Sequence, residues 1–244
     1  AWKHHIIIEK LPRLAIELNE ELEVLNSSEN SLEEIHRLLN QAHKNYLEFA
    51  SQLSHKRAHT AQSLSAQISE IMQQLGMDGG RFSIQVDSSE SDFKVTGIDT
   101  ISYQVSANPG QPLKPLTKVA SGGELSRISL AIQVIFSESS NIPTLIFDEV
   151  DSGVGGGIAE IVGKKLRWLG GNRQVFCVTH LPQVASQAHQ HYRVEKVKTV
   201  DDTTTNVVPL ENDARLEEVA RMLGGVVISE QTRAHASEMI AGQI

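Results

Sequence analysis

The chain has 244 residues, enough for one large domain or two small ones, and its 40% apolar content is enough for a core. A net charge of −8 argues against a protein that coats nucleic acid by bulk charge, although a local basic patch is still compatible with it. The single cysteine, Cys177, excludes a disulfide framework, and no apolar run approaches a membrane span or a signal peptide. A reducing, cytoplasmic setting is the default that follows. Aromatic residues make up 5%, which suits a chain with much helix. It opens at Ala1 without a Met, as a fragment or a processed product does.

Residues 1–12 read as a short connection, with Pro12 in the first turn of a helix. Leu14, Leu18, Leu22 and Leu25 mark one face of that helix. Asn26-Ser27-Ser28-Glu29-Asn30 is expected to interrupt it, and Ser31 with Glu34 offers a fresh capping box. From Leu32 onward, Ile35, Leu39, Ala42, Tyr46, Phe49 and Leu53 follow in steps of 3 and 4, which is a heptad seam. It weakens at Arg57 and Thr60 and resumes at Leu64, Ile68, Ile71 and Leu75, where an extra step of 4 acts like a stutter. A narrow seam on so long a helix needs a second helix beside it. Leu14–Leu25 is too short to serve, so the partner is expected outside this chain.

Gly76 and Gly79-Gly80 end the arm. Arg81–Val86 and Phe93–Ala107 alternate like strands, and Asn108-Pro109-Gly110 makes a turn. A helix is expected over 121–137, with an apolar face at Leu125, Ile128, Ser129, Ile132, Ile135 and Phe136. Buried strands are expected at Thr144–Phe147 and Gln174–Thr179, with a helix at Ile158–Leu169 between them. A short helix at Pro182–Ala188 precedes strands at Tyr192–Val197 and Asn206–Leu210. Asp201–Thr205 reads as a surface turn. Helices over about 213–223 and 230–241 complete the chain. The alternation from 121 to 190 argues for a largely parallel α/β sheet.

Three stretches carry chemistry. Ser121-Gly122-Gly123-Glu124 opens a helix with a capping box. A cap needs no glycines, each of which costs up to about 1 kcal/mol relative to Ala. Two of them leave bare backbone N–H groups at the positive end of the helix dipole, which is a seat for phosphate. On these four residues alone the plain cap is the simpler reading, and the downstream chain reverses that. Thr144–Phe147 is an apolar strand that runs into Asp148-Glu149, where ligands of open α/β sheets bind. Asp148 there can hold a hard cation through oxygen or water, and Glu149 can polarise a water. Acids also leave strands simply to meet solvent. Asp151 follows, then a glycine-rich loop through Gly157. The second strand ends in Thr179-His180, 31 residues after Glu149, a fitting length for one crossover.

Together these stretches resemble the signature, Walker B, D-loop and H-loop series of ABC-type ATPases, and the long arm before the signature resembles their SMC-like branch. Wider wording at Asn108–Pro112, Lys118–Arg127, Cys177–Ala185 and Leu216–Gly225 resembles the bacterial RecN family of DNA-repair proteins over essentially the whole chain. The resemblance implies the carboxyl-terminal lobe of an ABC/SMC-like head (77–244) preceded by the returning helix of a coiled-coil arm (1–76). It implies that Ser121, Gly122, Gly123 and Glu124 bind the γ-phosphate of ATP held by a second head. Asp148 would hold Mg²⁺ through water, Glu149 would be the general base, Asp151 would contact the other head, and His180 would sense the γ-phosphate. The implied partners are a Walker A half, a second head in an ATP-dependent homodimer, and DNA in the nucleoid; no membrane is implied.

There is no Walker A. Gly163-Lys164-Lys165 lacks the preceding Gly and the final Ser or Thr, and reads as a solvated helix face. In the family it resembles, the Walker A and Q-loop lie before the coiled coil, so the resemblance implies that the chain begins near the arm tip, carries half of each ATP site and is inactive alone. His4-His5, and the His55/His59 pair at i, i+4, lack the further ligands a metal needs. His189 and His191 read as surface residues, and Arg193, Lys196 and Lys198 as a solvated strand face. Cys177, in an apolar run, reads as a buried and unreactive thiol. The competing class is a non-catalytic coiled-coil scaffold, which would have no need of both Asp148 and Glu149. A transporter ATPase subunit is disfavoured by the arm.

Overall fold

The computed structural model describes residues 10–119, 121–137, 139, 142–198, 203–225 and 227–242, so most of the expected opening connection and His4-His5 lie outside the described residues. The chain divides into two compact units, Ala1–Arg57 with Ser88–Asp99, and Ala58–Asp87 with Thr100–Ile244.

Helix α1 (Leu11–Gln74) runs for 64 residues and contributes to both units. The break expected at 26–30 does not occur. Ser27 Oγ donates to the Val24 carbonyl at 2.9 Å and Ser31 Oγ to the Ser27 carbonyl at 2.7 Å. Both hydroxyls bond back into the preceding turn, which lets serines sit inside a helix instead of capping one. In the first unit Leu18, Leu22, Leu25, Leu32, Ile35, Leu39 and Phe49 are all exposed.

The segment Ser88–Asp99 of that unit binds α1 by specific contacts. Tyr46 Oη donates to the Lys94 carbonyl at 3.0 Å and accepts from the Lys94 N–H at 3.1 Å. Phe93 packs 5.1 Å from the His43 ring and 5.3 Å from Tyr46. Arg57 donates to Asp99 at 2.8 Å, and Ser88 Oγ donates to the other Asp99 oxygen at 2.8 Å. Burial opposes ionisation of Asp99, but the bonds from Arg57, Ser54 and Ser88 outweigh it and hold the carboxyl below its usual range. Residues 93–98, expected as strand, instead form a loop closed by a bridge between Lys94 and Gly97.

In the second unit, β1 (Arg81–Ser88), β2 (Asp99–Ser106) and β3 (Lys114–Pro115) form a sheet in that order, with β2 and β3 antiparallel. The end of α1 covers β1. Ser65 and Ser69 accept from the Ile84 and Phe82 N–H groups, each at 2.9 Å, while Ile68, Met72 and Leu75 are fully buried. Burying each such side chain contributes about 1.5–3 kcal/mol.

A 3-10 turn (Leu116–Lys118) leads to α2 (Gly122–Ile135), β4 (Thr144–Phe147), α3 (Gly156–Gly170), β5 (Gln174–Cys177) and the short α4 (Pro182–Ala185). Strands β4 and β5 are parallel, in register from Thr144↔Gln174 to Phe147↔Cys177. This is the parallel unit expected from the alternation; the β2–β3 pair and the pair formed by 191–198 with 203–210 are antiparallel. Strands β6 (His191–Lys198) and β7 (Thr203–Leu210) form a hairpin, so the expected turn at 201–205 gives way to strand from Thr203, and Asp201 and Asp202 lie outside the described residues. Helices α5 (Asn212–Gly224) and α6 (Glu230–Ala241) pack through Val219, Ala220 and Ala236.

Two further expectations change. Helix α2 buries Gly123, Arg127, Ile128, Leu130 and Ala131, while Leu125 and Ser129 are exposed. Ile128, Ile132, Ile135 and Phe136 meet the core as expected, and Arg127 joins the buried side while bonded to the Ser152 carbonyl. Strands β4 and β5 are not buried on both faces: Ile146 is 74% and Phe176 47% exposed, while Leu145 and Phe147 point into the core. Among the described residues, the face that carries Ile146 and Phe176 is left uncovered.

Candidate functional site

Every residue singled out for chemistry lies in the second unit. At the start of α2, Ser121 is in extended conformation and its Oγ accepts the Glu124 N–H at 3.3 Å, one of the two bonds of a capping box. The loop after β4 lies directly against this helix start. A Cβ at Gly122 would stand 2.6 Å from Glu149 Oε2, and one at Gly123 would stand 3.0 Å from both Cβ and the carbonyl oxygen of Ser152. The two glycines thus admit the acidic loop of their own chain, in addition to leaving backbone bare.

Three bonds hold that loop to α2 and to itself. Ser126 Oγ donates to the Asp148 carbonyl at 2.6 Å, Arg127 donates to the Ser152 carbonyl at 2.7 Å, and the Ser152 N–H donates to the Glu149 carbonyl at 3.0 Å. Burial lowers the Arg127 pKa, with the nearby Glu124 carboxylate opposing it. Glu149 takes φ of 55°, a left-handed conformation that costs a non-glycine residue about 1–2 kcal/mol. Asp148 and Glu149 are both exposed at the carboxyl end of β4.

Asp151 behaves differently. It is 1% exposed, and its Oδ2 accepts the Thr179 hydroxyl and, at 3.2 Å, the His180 N–H. His180 Nδ1 stands 3.6 Å from the same oxygen, while the rest of the ring is open to solvent. Expected to reach across to another head, Asp151 is bonded inside its own chain. The ends of β4 and β5 therefore meet as the 31-residue crossover implied, through a carboxylate that the spacing could not identify. Thr179, Ser126 and Arg127 were not singled out from sequence. Thr179 precedes His180 directly, and the other two lie in the quoted motif, but only their partners reveal their use.

Among the described residues no group of three or more His, Cys, Asp or Glu is placed to hold a metal. A magnesium ion carried in by phosphates needs only one or two carboxylates, and exposed Asp148 fits that requirement. Cys177 has its thiol pushed up to about 12 by burial, then by Asp151 and Asp148, so it stays protonated as expected.

The remaining residues are structural. Gly163 is buried, not on a solvated face: a Cβ there would meet Gln187 Cγ at 2.8 Å and the Gln183 carbonyl at 3.0 Å, so it lets α3 approach α4. Lys164 pairs with Glu160 at 2.7 Å. Arg193 donates to Glu195 and Glu218 and is not a free phosphate contact; the Lys198 side chain lies outside the described set. His189 is exposed as expected, whereas His191 is half-buried, its pKa lowered by burial and by Arg215. His55 and His59 are exposed on α1.

The fold is that of the carboxyl-terminal lobe of an Smc-type head domain with a long helix. It superposes on the Smc head domain with coiled coil and joint from Pyrococcus yayanosii with a TM-score of 0.50 at 18% identity, covering 86% of this chain and 37% of that one. No protein-family model matches the chain. Sequence relatives are more specific. The DNA repair protein RecN of Xylella fastidiosa is 43% identical over 221 residues, 90% of this chain and 40% of that protein. Those of Vibrio cholerae and Bacillus subtilis are 41% and 33% identical over 98% of this chain, and 43% and 44% of their own lengths. The chain belongs to the RecN family and spans about two fifths of the length of the relatives it matches.

Proposed function

We propose that this chain is the signature and Walker B half of a RecN-type ATPase head that works in DNA double-strand-break repair. The observation that carries the reading is the placement of exposed Asp148 and Glu149, just after β4, against the start of α2 and at the same strand edge as His180, which follows the parallel neighbour β5. A scaffold would need a capped helix and a strand pair. It would not need two solvent-facing acids, one of them in a costly backbone conformation, beside a bare helix start.

On this reading, Ser121, Gly122, Gly123 and Glu124 bind the γ-phosphate of ATP held by a second head. Helix N-terminal N–H groups supply partial positive charge there, and Gly122 and Gly123 add no side chain of their own, although the Glu149 carboxylate rests beside Gly122. Asp148 holds Mg²⁺ through water. Glu149 takes a proton from the attacking water, and His180 meets the γ-phosphate. Contact with the other head at the D-loop falls to the exposed Ser152 and Gly153, since Asp151 is buried. ATP would join two heads and hydrolysis would part them, with DNA as the macromolecular partner, in keeping with the repair role named for the relatives.

The missing half is supported by unsatisfied surfaces. A two-stranded parallel pair with Ile146, Phe176 and Val178 bare needs another layer, because parallel sheets are stable when both faces are covered. The seam of α1 at Leu32, Ile35, Leu39 and Phe49 is likewise exposed among the described residues. We take 1–76 as the arm and 77–244 as the head lobe.

The deciding experiment compares the chain alone with the chain joined to its Walker A half. Magnesium-dependent ATP turnover is expected only in the joined form, because the phosphate loop supplies most nucleotide contacts. Turnover by the chain alone at the rate of the joined form, or none by either, would overturn the reading.

A further inference from the structure

We propose that Asp151 is a positioning residue that acts within its own chain, latching the loop after β4 to the end of β5 and thereby setting where His180 stands. The proposal rests on the ATPase reading for the use of His180, but the latch itself is a matter of geometry.

A carboxylate as buried as Asp151 is costly unless its oxygens find donors. Here Oδ2 takes the Thr179 hydroxyl and the His180 N–H, and lies 3.6 Å from His180 Nδ1. Thr179 Oγ1 passes the order on by accepting the Leu181 N–H at 3.1 Å, at the residue that caps α4. The other side of the loop is held by Ser126 and Arg127 through the Asp148 and Ser152 carbonyls. Asp151 is thus anchored in backbone on one side and bonded through its side chain on the other.

A residue whose work lay across an interface would offer its polar atoms to solvent in the free chain, and Asp151 offers almost none. What is offered is the His180 ring, 74% exposed. With Nδ1 3.6 Å from the Asp151 carboxylate, Nε2 is the ring nitrogen left to meet a ligand. A signal starting at the signature helix would reach His180 along a continuous path: Arg127, Ser152, Asp151, Thr179 and His180.

The test uses the full-length protein. Asp151→Asn keeps an oxygen for Thr179 and His180, whereas Asp151→Ala keeps none. Asp151→Ala is expected to lower kcat for ATP about 10–100-fold, as misplacement of a catalytic group does. KM should change by less than about 3-fold, and Asp151→Asn should recover most of the rate. Independently of catalysis, hydrogen exchange of the His180 amide should accelerate at least about tenfold in Asp151→Ala and little in Asp151→Asn. Thr179→Val, which preserves shape, should lower kcat in the same sense. Unchanged His180 exchange in Asp151→Ala would overturn the latch whatever the activity. Wild-type kcat in Asp151→Ala would overturn the positioning role. So would loss confined to ATP-dependent head association with His180 exchange intact. A wild type that hydrolyses no ATP would sink the ATPase reading instead, with the exchange result still deciding the latch.

Discussion

Glu149 Oε2 and Gly122 are in such close approach that a Cβ on the glycine would stand 2.6 Å from that oxygen. At Gly123 the same hypothetical Cβ meets the backbone carbonyl and Cβ of Ser152 at 3.0 Å. The two glycines therefore answer to different obstacles, one the free end of a side chain and the other a loop backbone.

That difference gives an ordered expectation for stability. Gly122→Ala lets the Glu149 carboxylate swing away and gains helix propensity of up to about 1 kcal/mol, so its urea midpoint should be unchanged or raised. Gly123→Ala has no such escape and should cost about 1–3 kcal/mol, as overpacking does. The reverse order in paired urea titrations would show that Glu149 does not rest on the helix start.

The assigned roles separate in a second pair of variants of the full-length protein. Gln at position 149 can position water but cannot take its proton, and general-base catalysis is typically worth 10²–10⁴-fold. Glu149→Gln should bind ATP normally, hydrolyse it at least about 100-fold more slowly, and accumulate head-to-head dimers. Ser121→Arg should prevent those dimers by blocking the phosphate seat, with binding to the Walker A half retained. Light scattering with ATP present decides the matter; if both variants dimerise alike, Ser121 is a helix cap and nothing more.

The bare seam of α1 at Leu32, Ile35, Leu39 and Phe49 should drive association of the chain. Sedimentation is expected to show mass rising with concentration, and Leu32→Glu with Leu39→Glu should suppress it. A stable monomer with a fully helical arm at micromolar concentration would count against a missing helix.

Asp99 carries a pH dependence. Its folded pKa lies below the usual 3.8, so it contributes stability that is present above that value and is lost as pH falls through the lower folded one. Amide protection in Ser88–Asp99 should be flat from neutral pH to about 5 and then weaken in acid. Asp99→Asn should weaken it at neutral pH and remove the acid step. An acid step that persists in Asp99→Asn would assign it to another group.

With its thiol pushed up to about 12, Cys177 should resist alkylation at pH 8 in the folded chain and react at once in denaturant. Rapid labelling of the native chain would mean that the end of β5 opens readily.

What the sequence determined by itself is the order of elements from β4 to α6 and the motif series, because both are written in short windows. Four apolar residues followed by acids place β4 at Thr144–Phe147, and the last helical run places α6 at Glu230–Ala241. The tertiary structure decided the rest through contacts between distant residues. Ser27 and Ser31 can cap a helix or bond back into one, and the continuous α1 shows which occurs. Periodicity placed Ile128, Ile132, Ile135 and Phe136 against the core correctly, but it could not show that Arg127, polar by composition, is buried too, bonded to the carbonyl of Ser152, 25 residues away. The apolar strands β4 and β5 look buried on both faces in any window, yet burial depends on what covers them, and the described residues leave Ile146 and Phe176 bare. Asp151 could be noticed as an acid in a loop. That its carboxylate is occupied by Thr179 and His180, 28 and 29 residues on, follows only from the parallel pairing of β4 with β5, which brings the two strand ends within hydrogen-bond reach.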